Sequence, residues 1–176
     1  PISDYNKTKM ISERVLMSYS DKIILQIIRP ATVCGYSPRM RLDLSVSMLT
    51  MKALEKGEIS VFGGNQTRPN IHMNDMIRVY LHFLKLGNKA TGIYNAGFEN
   101  LTILELANKI KSYIDSKINI QESNDPRSYR QNSDKLISTN FNPKFTVDDA
   151  IKELIKLYNM KKLKEDDSFY NIKQMQ

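Results

Sequence analysis

The run Ile23-Ile24-Leu25-Gln26-Ile27-Ile28 is apolar at every position but one. Such density predicts a strand buried on both faces of a parallel sheet. Before it, Met10, Val15, Leu16 and Tyr19 form a stripe that predicts a helix over 4–19, capped by Ser3 or Asp4. After it comes a polar, arginine-rich loop over 35–42. Asp43 is placed to cap a second helix reaching Lys56, where Gly57 stops it. Short strands are expected at 59–62, 93–95 and 118–120. A Gly63-Gly64 turn and a polar loop lead to Asn70-Ile71-His72, and Asn74 or Asp75 caps a helix running to about Leu86. Thr102 with Glu105 reads as a capping box opening an amphipathic helix over 102–114. Further helices are expected near 133–138 and 147–158, then a charged tail of little order over 161–176. Strands alternating with helices make the class α/β with a largely parallel sheet.

Composition narrows this. The chain has 176 residues, of which 41% are hydrophobic, enough for one domain or slightly more. No apolar run approaches the roughly 18 residues that span a bilayer, so no membrane partner is expected. Cys34 is the sole cysteine, which excludes an internal disulfide and suits a reducing, cytoplasmic setting. The net charge is +7, but lysines lie scattered among Asp and Glu, so a nucleic-acid partner is not expected. His72 and His82 are the only histidines, and no carboxylate or thiol joins them at ligand spacing, so no metal is expected. The opening at Pro1, without a starting Met, leads to the expectation that the chain is the carboxy-terminal portion of a longer protein.

The first candidate chemistry is Tyr5-Asn6-Lys7-Thr8-Lys9. Residues four apart share a helix face. A free phenol titrates at about 10, and a nearby cation favours phenolate, so such a pair suits proton transfer. The spacing recurs at Tyr113/Lys117 and Tyr158/Lys162, and any one of these is commonly a surface helix with a long lysine. Only Tyr5 opens a helix that feeds an apolar strand.

Pro1-Ile2-Ser3-Asp4-Tyr5-Asn6-Lys7-Thr8-Lys9, followed by Arg29-Pro30-Ala31-Thr32-Val33-Cys34-Gly35, resembles the extended short-chain dehydrogenase/reductase family, specifically its NAD-dependent sugar-nucleotide epimerases and dehydratases. Thr8 stands where that pattern usually has Ser. The resemblance continues through Ser37-Pro38-Arg39-Met40-Arg41, Val61 to His72, Asp75, Asp125-Pro126-Arg127-Ser128-Tyr129-Arg130 and Asp134-Lys135, over about residues 1–158. It implies a partial Rossmann-like parallel sheet with a smaller mixed α/β substrate-binding domain. Residues 1–36 would be a remnant of the dinucleotide-binding domain and 37–160 mostly substrate domain, with 70–97 returning to the Rossmann core. None of the seven glycines forms the glycine-rich turn of a dinucleotide site, so that half would lie elsewhere.

By the same resemblance Tyr5 and Lys9 are catalytic and hold NAD, with NADP the alternative, and Pro30, Ala31, Thr32 and Val33 pass the nicotinamide. Arg39, Arg41, Leu44, Phe62, Arg68 and Arg127 would meet a nucleotide-diphosphate sugar, since arginine's planar fork suits a diphosphate. His72 reads as a structural tie to the following helix, together with Asp75, more readily than as a second base. The implied reaction is hydride transfer at a sugar carbon, C4, in an enzyme that is a homodimer at full length. The alternative is an inactive substrate-domain fragment that binds a nucleotide diphosphate or only mediates assembly.

Overall fold

Gln26, the one polar residue in the apolar run, explains where that run becomes structured. In the structure, a computed structural model that describes residues 3–125, 127–163 and 167–171, strand β1 is Gln26–Pro30. It starts three residues later than the apolar pattern begins, and Ile23 and Ile24 are exposed. The Gln26 Nε2 donates to the carbonyls of Phe83, Gly87 and Ala90 at 2.9, 2.8 and 3.1 Å. These lie at or just past the end of helix α3, Met73–Leu86, where the Phe83 carbonyl also accepts the Gly87 N–H. Among the described residues β1 pairs along one edge only, parallel to β5 (Gly92–Ala96). The expected burial on both faces does not appear, and Ile27 alone in the strand is buried.

Helix α1, Asp4–Met17, precedes β1 and is capped by Ser3, whose Oγ accepts the Asn6 N–H at 3.2 Å. No residue of α1 is buried. Val15, Leu16 and, beyond the helix, Tyr19 of the expected stripe are all exposed. Arg29 at the end of β1 grips α1 through Glu13, with Nε donating to Oε1 at 2.8 Å and Nη2 to Oε2.

The centre is a three-stranded sheet. Strands β2 (Thr32–Cys34) and β4 (Thr67–His72) are parallel, and β6 (Glu99–Thr102) runs antiparallel to β4. β2 and β6 are short and partly polar, and no alternation in the sequence marks them. A third pair, β3 (Glu58–Phe62) with β7 (Lys117–Gln121), is parallel. Helices α2 (Ser45–Lys56), α4 (Ile103–Lys111) and α6 (Val147–Asn159) pack around it. Val46, Leu49, Ile59, Val61, Leu106, Ile110 and Ile151 share one core. Met76, Val79 and Phe83 of α3 share another with Tyr94, Phe141 and Leu136, the last from α5 (Asp134–Ile137).

Two expected caps are taken by other residues. Leu44 precedes α2 with no side-chain cap bond, because Asp43 is held by Arg41. His72 caps α3, its Nδ1 accepting the Asn74 N–H at 3.1 Å. Asp75 is instead fully buried, accepting the N–H groups of Lys144 and Phe145 at 2.9 Å each and pairing with Arg78. Thr102 and Glu105 form the expected capping box.

The tail departs from expectation where it is described. Residues 164–166 and 172–176 lie outside the described residues. Asp167–Phe169 form a 3-10 turn, and the Phe169 carbonyl accepts the Leu42 N–H at 3.1 Å. Phe169 and Tyr170 pack on the cluster of Met40, Leu42, Met51, Leu154 and Leu163, and Asn171 Oδ1 accepts from Arg39 at 3.0 Å.

Candidate functional site

A cavity of about 450 Å³ opens where α2, β3, β4 and the loop after β7 meet. Thr32, Leu44, Phe62, Arg68 and Arg127 line it, joined by Asp43, Ser45, Ser60, Gln66, Asp125 and Tyr129 among others. The fold brings these together from positions almost one hundred residues apart. Phe62 ends β3 with half its surface free (49% exposed), so it presents a ring face rather than packing into the core. Gln66 is committed to the turn, accepting from the Gly64 N–H at 2.8 Å and donating to the Phe62 carbonyl at 3.1 Å.

Arg68 and Arg127 meet at one carboxylate. Asp125 Oδ2 lies 3.1 Å from Arg68 Nη2, and Asp125 takes the Arg127 fork at 2.8 Å to each oxygen. The hydrogen-bonded Arg127 guanidinium, then its backbone N–H, hold the Asp125 carboxyl far below the usual range. Arg68 also donates to the Thr67 carbonyl at 3.2 Å and to that of Arg127, and its guanidinium lies 5.8 Å from the centre of the Tyr129 ring. The sequence offered Arg68 and Arg127 through motif, but assigned no role to Asp125. Its only local sign is the spacing Asp-x-Arg, which lets the carboxylate accept the Arg127 N–H at 3.0 Å.

Arg39 and Arg41 are not among the cavity-lining residues. Arg39 reaches Asn171. Arg41 forks onto Asp43 at 3.0 and 2.8 Å, which lowers the Asp43 pKa and raises its own.

Tyr5 and Lys9 share one exposed face of α1, with the Lys9 ammonium 5.6 Å from the Tyr5 ring centre. Lys9 also lines a smaller cavity of about 340 Å³ with Asn6, Met10, Glu13 and Arg29. The other two pairs of this spacing are arranged differently. Tyr113 follows α4 and donates to Asp148 at 3.0 Å, while Lys117 begins β7. Tyr158 lies in α6 and packs on the cluster around Met40 and Leu42, and Lys162 lies beyond that helix.

A phenol and an ammonium on one face fit the hydroxyls of a ribose. Ala31 is buried and its N–H is committed to the Ala96 carbonyl at 2.8 Å, and proline has no N–H. The stretch Pro30–Val33 therefore offers a ligand the Thr32 side chain, which lines the large cavity. The described residues fit the nicotinamide-ribose end of a dinucleotide. None of their glycines forms a turn from a first strand to a helix for its diphosphate.

Gly35 sets the corner between β2 and the loop that follows it. Its φ is +93°, and a Cβ there would stand 2.9 Å from His72 Nε2 and 3.1 Å from Glu153 Oε2. Only glycine fits that approach. His72 is buried, stacks on Phe145 and faces Glu153 at 3.5 Å, as a structural tie would. Cys34 beside it is buried, and burial is the main cause pushing its pKa up to about 12. Thiolate is the reactive form. Native protein at pH 8 should consume no thiol reagent within an hour, and denatured protein one equivalent. A prompt native reaction would contradict this burial.

A family model described as the NAD dependent epimerase/dehydratase family matches residues 1–97. Among solved structures, UDP-glucuronic acid 4-epimerase from Bacillus cereus, in complex with UDP-glucuronic acid and NAD, is 26% identical with a TM-score of 0.74, covering 90% of this chain and 54% of that one. ADP-L-glycero-D-manno-heptose-6-epimerase from Helicobacter pylori is 19% identical with a TM-score of 0.78, covering 90% of this chain and 52% of that one. A monomeric L-threonine 3-dehydrogenase from a metagenome is also 19% identical, with a TM-score of 0.80 and coverage of 93% and 57%. At 19% identity the likeness is one of fold. The chain spans about half the length of these proteins.

Proposed function

Since this chain belongs to the NAD-dependent epimerase/dehydratase family, whose fold also serves a threonine dehydrogenase, we propose from its own cavity that it binds a nucleoside-diphosphate sugar. The convergence of Arg68 and Arg127 on one cavity beside the half-exposed Phe62 carries this reading. Two guanidiniums match a diphosphate, and an exposed ring face suits a nucleobase. A small amino acid would need neither. Fold alone does not choose between such substrates.

The activity that follows is oxidoreduction or epimerisation at a sugar carbon, C4. Tyr5 takes or returns the proton of the sugar hydroxyl, and Lys9 holds ribose hydroxyls while its charge favours the phenolate. Thr32 with its neighbours Pro30, Ala31 and Val33 borders the nicotinamide. NAD, or NADP in its place, supplies a hydride acceptor and donor at that position. Arg68 and Arg127 fix the diphosphate, so the sugar is oriented before the proton moves.

Titration of the chain with UDP and with ADP tests the reading. At least one should bind, and Arg68→Ala should weaken it about 30-fold, the worth of roughly 2 kcal/mol in charge-assisted hydrogen bonds. Equal affinity in the variant, or no binding of either ligand by the parent chain, would overturn it.

A further inference from the structure

We infer that Asp125 is a specificity-determining residue, whose fixed negative charge offsets the preference of the Arg68–Arg127 pair for the more highly charged free nucleoside diphosphate, to the relative gain of a diphosphate esterified at both ends. This deepens the proposed nucleotide reading and rests on it.

The geometry is that of a shared counter-ion. Asp125 holds both guanidiniums, Arg68 at 3.1 Å and Arg127 at 2.8 Å through two bonds. Its own backbone N–H donates to Ser123 Oγ at 3.2 Å. Ser123, Asp125 and both arginines line the same cavity, so a diphosphate held by the arginines would lie beside the carboxylate. The cluster carries two positive charges and one negative. Hydrogen bonding to Arg127 keeps the carboxyl ionised across the neutral range. The other carboxylate lining the cavity, Asp43, is forked by Arg41, so among the described residues Asp125 is the carboxylate paired with the two arginines.

Ligand charge then decides. A nucleotide sugar is a diester of diphosphate with two negative charges. A free nucleoside diphosphate carries a terminal phosphate whose second proton leaves at about pH 6, so it holds close to three at pH 7.5. The extra charge is repelled by Asp125 across a partly solvated, screened gap, an effect of about three- to tenfold in relative affinity. Asp125 acts through charge and through its hold on the arginines, without touching the reacting carbon.

The experiment compares UDP-glucose with UDP, and ADP-glucose with ADP, by calorimetry on the chain and on Asp125→Asn and Asp125→Glu. In Asp125→Asn, affinity for the free diphosphate should rise three- to tenfold relative to its sugar ester at pH 7.5. The gap between variant and parent should close at pH 5.5, where the terminal phosphate has gained its proton. Asp125→Glu should keep the parental ratio. Asp125→Ser removes the same charge and gives a second reading should Asp125→Asn not fold. An unchanged ratio in Asp125→Asn, or in Asp125→Ser where that variant replaces it, would overturn the inference while leaving nucleotide binding intact. Failure of the parent chain to bind any of the four ligands would overturn both.

Discussion

Replacing Tyr5 by Phe in the protein that carries this chain should lower kcat by about 10²- to 10⁴-fold, the usual worth of a positioned acid/base. Nucleotide-sugar affinity should stay within twofold, because Tyr5 is not among the residues lining the large cavity. The phenol is exposed on α1, with the Lys9 ammonium 5.6 Å from its ring centre. Its loss leaves no buried group unpaired, so the melting temperature should hold within a degree or two. That combination separates a reacting phenol from a surface tyrosine. A kcat within threefold of the parent, measured with a nucleotide sugar the parent turns over, would remove Tyr5 from the chemistry.

Asp75→Ala should destabilise the chain by about 3–5 kcal/mol, as removal of one partner from a buried charged network does. The carboxylate is fully buried and receives two backbone N–H groups from a segment about seventy residues away, besides Arg78. Alanine leaves the two backbone donors unpaired, while Arg78 keeps the Asn142 carbonyl at 2.9 Å. Asp75→Asn keeps one acceptor oxygen and should cost less. Urea unfolding followed by circular dichroism measures both. A loss under 1 kcal/mol in the alanine variant would mean that water replaces the carboxylate readily, against the sealed position found for it. With typical domain stabilities of 5–15 kcal/mol, the variant should be only marginally folded at 37 °C.

Much of this fold was legible where local chemistry and packing agree. The Thr102–Glu105 box announced α4, Gly57 ended α2, and the helices expected up to about Leu86 and over 147–158 are α3 and α6. The failures have physical causes. Ile23 and Ile24 are as apolar as Ile27 and Ile28, but hydrophobicity cannot say which residues acquire a covering partner. β2 and β6 are three and four residues long, too short to show a period of two. Asp43 has the composition of a cap, and Arg41, two residues away, outcompetes the helix for it. In the cavity, Arg68 and Arg127 stood out through motif. Their meeting at Asp125 joins residues 57 apart in sequence, and Arg39 is drawn off to Asn171, 132 residues away. No local pattern encodes such pairings.

Helix α1 has a consequence for how the Tyr5–Lys9 pair behaves. A helix of fourteen residues with nothing buried is near the limit at which helices hold in water. Its fixed points are the Ser3 cap and the Glu13 grip on Arg29. Its amides should therefore exchange with deuterium orders of magnitude faster than those of α4 or α6, whose apolar faces are sealed in the core. Any ligand that contacts Tyr5 and Lys9 together must bind the wound form and so slow that exchange. Amide protection along residues 6–17 becomes a direct readout of occupancy at the reacting end, independent of turnover.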